Sequence, residues 1–317
     1  MGGNIGIILN QEIKSNKSKN IDAKKKQIMK EERINGENIL YHILQKQIIE
    51  ASDAINPPKE VKYMIEWLLL WGGVWFTPET YAEIPVLLPY VVRDANCRKI
   101  IPSTGKHTWG QSNAKGFLKD DNSLIKNIPT SLKINSCLSE MNGKKLGTGF
   151  VASHIWIDLA SMPGIHACNW ECTNSFIPNL VWLPKQLSKL TDRNGSYAQQ
   201  FLQHISGLLY HKIAIKNPRL SPRLPGIWKE LQDPGITPAS GPINLKHLNY
   251  FEHDVSWVTK WNNKLNTEMQ SILDIIGGAS PTVKIKTSAY APSLAKIVPS
   301  LSAHNKKYLI DWLTANM

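Results

Sequence analysis

Cysteine is scarce. The 317 residues hold four, Cys97, Cys137, Cys168 and Cys172, too few for a disulfide scaffold at this length and suited to a reducing compartment, with core thiols as the plain reading. Long apolar runs are missing as well. The longest, Trp67–Phe76, is broken by Gly72 and Gly73, whereas a membrane-spanning helix needs about 20 apolar residues. The N-terminus has no basic start leading into an apolar stretch and a small-residue cleavage site, and Gly6 stands where myristoylation wants Ser or Thr. A cytoplasmic protein without a membrane crossing is expected. Acidic residues are also few: 25 Asp+Glu against 37 Lys+Arg give a formal charge of +12. That excess favours a polyanionic partner, nucleic acid first, and says nothing about fold.

With 42% apolar residues, 20 Gly and 19 Pro, the composition is that of an ordinary globular chain, which excludes disorder, collagen and coiled-coil arrays. The positive charge is concentrated. Between Arg98 and Lys145 nine basic residues face three acidic ones, and between Lys185 and Lys229 eight face one, so the two stretches bracket residues 146–184. The Lys-rich first 60 residues are nearly balanced by their own Asp and Glu and read as a solvated helix face.

Helical periodicity is expected over residues 21–55, ending at Pro57–Pro58, and again from about Glu60 to Leu70, where Trp67, Leu68 and Trp71 belong to a core. Residues 77–145 read as loops and short strands such as Val86–Leu88 and Tyr90–Val92. Residues 147–156 then form a strand with His154 near its end. A long loop follows, then a second strand Asn179–Leu183, Pro184 as a first helical position and a helix Lys185–Asp192 closed by Asn194–Gly195. Further on, Tyr197–Tyr210 is helical with Phe201, Leu202, Ile205, Leu208 and Leu209 on one face. Pro218, Pro222 and Pro225 mark a basic extended linker, and helices are expected at Val255–Ile276 and about His304–Ala315 around a β-prone Thr282–Thr287.

The order Ser153-His154-Ile155 at a strand end, then Asn179-Leu180-Val181-Trp182-Leu183-Pro184 leading into a helix, resembles the ββα-metal core of HNH endonucleases, in particular HNH-type restriction enzymes. The resemblance covers about residues 147–192. It implies that His154 is the general base activating a water against a DNA phosphodiester, that Asn179 holds the loop and the base in place, and that the helix contributes to a divalent metal site, Mg²⁺ or Mn²⁺. The residue types suit that chemistry: neutral imidazole accepts a proton at cytoplasmic pH, and a second group fixes which nitrogen is available. Ser153 stands at a metal-ligand position where the family often has an acid, and Ser188, nine residues beyond Asn179, at the helical one. Asp192, one turn on, is positioned to take over the ligand role, with Asp158 or His204 as further candidates. Lys144, Lys145, Lys185, Lys189 and Arg193 are the expected contacts to double-stranded DNA.

Other patterns compete. Cys168 and Cys172 lie in the loop that many HNH proteins brace with zinc, but only Cys97, Cys137 or His166 remain to complete four ligands. Asp53, Glu60 and Lys62 loosely imitate a PD-(D/E)xK nuclease, yet they straddle a helix stop. His204 and His211 are spaced too widely for chelation by one helix. The resulting expectation is a mixed α/β (α+β) protein: a helical region 1–76, a ββα-metal nuclease-like domain 77–215 and a mostly helical region 216–317. Its expected activity is metal-dependent DNA cleavage, as a homodimer where the target is palindromic. The alternatives are a non-catalytic DNA-binding protein with a degenerate HNH core and an RNA-processing protein. The hydrolase expectation requires His154 and Asn179 to lie together and the ring not to be sealed in apolar packing.

Overall fold

A short antiparallel ladder carries the two strands expected from the sequence. In the computed structural model, which describes residues 33–40, 42–43, 61–98, 112–191, 194–285 and 294–317, the elements used below are helix α1 (Val61–Gly72), strand β1 (Val74–Trp75), helix α2 (Pro78–Glu83), strands β2 (Val91–Arg93), β3 (Leu118–Asp120), β4 (Ile134–Asn135), β5 (Phe150–His154) and β6 (Leu180–Pro184), helices α3 (Lys185–Ser188), α4 (Tyr197–Tyr210) and α5 (Leu224–Glu230), strand β7 (Asn249–Phe251), and helices α6 (Val255–Ile276) and α7 (Ala303–Asn316). β5 and β6 pair from Phe150↔Pro184 to His154↔Leu180. They form one side of a five-stranded mixed sheet in the order β4-β7-β1-β6-β5, in which only β1 and β7 run parallel. Helices and strands together make this an α+β protein.

The sheet draws strands from before residue 76, from 77–215 and from beyond 216, and Ile34–Met317 forms one compact unit. Every residue of β6 is buried, as expected of an inner strand covered on both faces. Trp182 at its centre is edge-on to Phe76 and Phe251, at centroid distances of 5.3 and 5.2 Å, and its Nε1 donates to the Lys126 carbonyl at 3.1 Å. Buried polar groups fix the next layer: Asn249 Nδ2 donates to the Trp71 and Gly73 carbonyls at 2.8 and 3.0 Å. Helix starts follow side-chain capping, by Ser196 for α4, Asp254 for α6 and Ser302 for α7.

Several expectations need correction. α3 is one turn long, not eight residues, because after Ser188 the chain tightens into i→i+3 turns, Leu190 N–H to Leu187 O and Thr191 N–H to Ser188 O. The Pro218–Pro225 stretch is not extended: Pro222 and Pro225 occupy first-turn positions of a 3₁₀ turn and of α5, where a missing N–H costs nothing. Leu208 is 50% exposed and does not share the buried face of α4. α2 was not foreseen within 77–145, Val86–Leu88 forms only an isolated bridge to Phe176, and no strand forms at Thr282–Ile285. Most of the helix expected over residues 21–55, with Asp53 and Glu60, lies outside the described residues. Among the described residues no helix is long and apolar enough to cross a membrane.

Gly149 sets the start of β5. Its φ is +84°, its carbonyl accepts from Lys185 N–H at 2.8 Å, and a Cβ there would lie 3.0 Å from the Gly36 backbone nitrogen. Gly149→Ala is therefore expected to lower stability by about 1–3 kcal/mol in urea melts, from left-handed strain combined with a backbone clash. A melt unchanged from wild type would show that this entry to β5 is not constrained.

Candidate functional site

His154 closes β5, and the loop of residues 155–179 returns the chain to its side at Leu180. Asn179 ties the two ends together. Its Oδ1 accepts from Trp156 N–H at 2.9 Å, its Nδ2 donates to the Thr173 carbonyl at 2.9 Å, and its own carbonyl accepts from Ile155 N–H at 3.1 Å. The side chain is fully buried. Only an amide, a donor and an acceptor on one planar group, satisfies both backbone partners at once. Gln203 of α4 adds a further tie, donating to the Ile155 carbonyl at 2.8 Å.

The same loop turns Asn174 onto the imidazole. His154 Nε2 lies 2.7 Å from the Asn174 carbonyl oxygen; a carbonyl only accepts, so Nε2 carries the proton. Nδ1 is then the lone-pair nitrogen, and it is buried without a hydrogen-bond partner. Burial, helped by the positive charge of Arg93, lowers the ring's pKa to about 4 against the pull of the Asn174 hydrogen bonds. The imidazole is therefore neutral at physiological pH. His154 is 8% exposed and its Nδ1 is closed off from solvent; the Asn174 carbonyl bonds the ring and the charge of Arg93 acts on it.

Arg93 arrives from elsewhere in the chain. It ends β2, paired in parallel with β3 so that Arg93 faces Asp120, and Asn174 Nδ2 donates to the Val91 carbonyl of β2 at 2.9 Å. One residue thus holds both the imidazole and the strand that brings the arginine. Arg93 also acts on the Cys168 thiol, which donates to Asn169 Oδ1 at 3.3 Å and whose pKa burial pushes upward despite that nearby cation. Neither Arg93 nor Asn174 was picked out in the sequence. The one available signal was a cationic residue closing the apolar Tyr90–Val92 run.

The other expected site residues are dispersed. Ser153 precedes His154 in an extended strand and so points to the opposite face. Ser188 stands at the Pro184 end of the hairpin with its hydroxyl donating to the Lys185 carbonyl at 2.8 Å. His154 is four residues along the strand from that end, about 13 Å at 3.3 Å per residue, and one helical turn returns only about 6 Å. Ser153, Ser188 and His154 therefore do not form one ligand set. Asp192 and Arg193 lie outside the described residues. Asp158 pairs with His166 at 3.3 Å and with Asn194, and His204 sits 3.7 Å from Asp233. Among the described residues no group of three His, Cys, Asp or Glu is placed to hold a metal, which includes the zinc considered at Cys168 and Cys172. Cys97 and Cys172 are buried, whereas Cys137 is exposed and Cys168 partly so.

Of the expected DNA contacts, Lys185 and Lys189 are exposed on and just after α3, while Lys144 and Lys145 are half-buried and already have partners of their own. Comparison with protein-family models, curated proteins and solved structures gave no significant match.

Proposed function

We propose that this chain is a divalent-metal-dependent DNA endonuclease of the restriction or DNA-defence type, hydrolysing phosphodiester bonds with His154 as general base and Asn179 as the positioning residue. One observation carries the reading: a neutral imidazole whose Nε2 is fixed by a carbonyl, whose Nδ1 lone pair is free, and which lies beside an arginine in a loop clamped by a buried amide. In the proposed step a water gives a proton to Nδ1 while its oxygen bonds phosphorus. The P–O ester bond breaks, the departing sugar oxygen takes a proton from solvent water, and the ring returns its own proton to solvent. The serines at the family's ligand positions do not fit a cation site with His154, so no step is assigned through the metal.

Incubation of purified protein with supercoiled plasmid and Mg²⁺ or Mn²⁺ tests the reading. Nicking or linearisation that His154→Ala removes supports it. Binding of duplex without cleavage under either cation sinks it in favour of a non-catalytic DNA-binding protein, and preferential binding of structured RNA favours RNA processing. The surface contribution is separable: Lys185→Ala with Lys189→Ala is expected to weaken duplex binding similarly for all sequences and to flatten the log–log salt slope by about 2. A slope unchanged in gel-shift titrations would remove α3 from the DNA contact.

A further inference from the structure

We propose that Arg93 is a phosphate-binding residue, holding a phosphate oxygen directly beside His154. The site stands on its own geometry, and only the identification of the phosphate as a DNA ester rests on the endonuclease reading.

A guanidinium keeps its charge at every physiological pH, so a half-buried arginine normally has a carboxylate partner. Arg93 has none among the described residues. Asp94, its neighbour in sequence, is engaged by Lys119 Nζ at 3.0 Å. Asp120, its partner across the ladder, accepts at Oδ1 from the Ser123 backbone N–H at 2.8 Å and the Ser123 hydroxyl at 3.0 Å, keeps Oδ2 buried and unpartnered, and forms no ion pair with Arg93. The nearby Cys168 thiol is held neutral by burial and offers no charge to balance the guanidinium. Arg93 Nε is in addition buried without a hydrogen-bond acceptor. An unmet buried donor on a permanent cation is costly, and it persists where a ligand completes it.

The polarity of the remaining unmet groups narrows the ligand. Arg93 Nε offers a proton and needs an acceptor. His154 Nδ1, also buried, needs a donor. A cation alone is repelled by the guanidinium, and an anion alone leaves that acceptor unmet. A phosphate oxygen on Arg93 together with a water donating to His154 meets both kinds. A phosphate diester carries such oxygens, and the chain's +12 charge suits a polyphosphate strand. The strand pairing that places Arg93 and the Asn174 link that places His154 are both made by buried backbone, so the spacing between the two groups is preset before a ligand arrives.

The test uses the full chain and inorganic phosphate as probe. Nitrogen-detected NMR follows the Arg93 Nε–H and the His154 ring during titration with phosphate, with chloride and acetate at matched ionic strength as controls. A saturable shift of both signals with phosphate alone, lost in Arg93→Gln and retained in part in Arg93→Lys, is the expected result. The His154 ring in Arg93→Gln is expected to titrate at higher pH than in wild type, and Arg93→Lys, which keeps the charge, is expected to hold it near the wild-type value. With plasmid as substrate, Arg93→Gln is expected to cleave about 100-fold more slowly while gel-shift binding changes by less than about 3-fold, since one of many phosphate contacts is lost. Absence of a phosphate response, an equal response to acetate, or wild-type cleavage by a folded Arg93→Gln overturns the proposal. A phosphate response in a protein that never cleaves DNA leaves the site standing and removes the endonuclease reading alone. Thermal melts of each variant establish that the fold is intact.

Discussion

His154→Ala is expected to reduce plasmid cleavage by about 10²–10⁴-fold while leaving duplex binding close to wild type, the range that loss of a positioned general base produces. The separation of the two readouts follows from where the ring sits. Its Nε2 is committed to the Asn174 carbonyl and its Nδ1 faces no protein donor, so the side chain contributes a lone pair and little else to a bound strand. The exposed cations Lys185 and Lys189 lie at the other end of the hairpin, and binding through them survives. A ring whose pKa is about 4 stays in its base form above pH 5, so cleavage should show no limb from this group between pH 6 and 8. A cleavage limb near pH 6.5 that disappears in a His154 variant would show the ring to be solvated and not buried as described.

The same depression carries a stability signature. Unfolded, the ring titrates near pH 6.5; folded, near pH 4. Between those values the unfolded chain binds the extra proton, so stability rises with pH through this window. The contribution is fully present above pH 6.5, is lost as pH falls toward 4, and amounts to about 3 kcal/mol, at 1.36 kcal/mol per pKa unit. His154→Gln keeps a donor for the Asn174 carbonyl but cannot titrate. Urea melts of the two proteins should therefore converge as pH falls from 7 to 4, beyond any change shared with other groups. Parallel curves would mean that the imidazole titrates alike in the folded and unfolded chains.

The hairpin was legible because it is coded locally. Phe150–His154 and Leu180–Pro184 are apolar β-formers closed by proline, and the capped helices α4 and α6 span the ranges their amphipathic period predicts, with Leu208 of α4 the exception on the buried face. Asn179 was singled out through the resemblance, and its side-chain amide makes two hydrogen bonds that tie Trp156 to Thr173 across the loop. Arg93 and Asn174 were not, because their meaning is non-local. Arg93 comes near His154 only through the β2–β3 pairing, and Asn174 only because a loop carbonyl meets an imidazole. The length of α3 differs for a related reason: helical propensity favours continuation to Asp192, but after Ser188 the chain tightens into i→i+3 turns that bury Thr191.

Asn179→Ala is the substitution expected to cost the fold most. It strands two groups in the interior, the Trp156 N–H and the Thr173 carbonyl, on residues that are 4% and 0% exposed. Each unmet buried group costs about 1–3 kcal/mol, so a loss of about 2–5 kcal/mol is expected in urea melts. Asn179→Asp discriminates the clamp from mere packing. It keeps the acceptor for Trp156 but replaces the donor with a carboxylate oxygen facing the Thr173 carbonyl, a buried repulsion without a counter-charge, and should be at least as damaging as alanine despite its near-identical shape. Because Thr173 immediately precedes the Asn174 that holds both His154 and the Arg93 strand, loosening here displaces the whole polar site. Amide exchange at Trp156 and Asn174 should therefore accelerate together in both variants. Exchange that changes at Trp156 alone would show that the clamp shapes the start of the loop without positioning the imidazole.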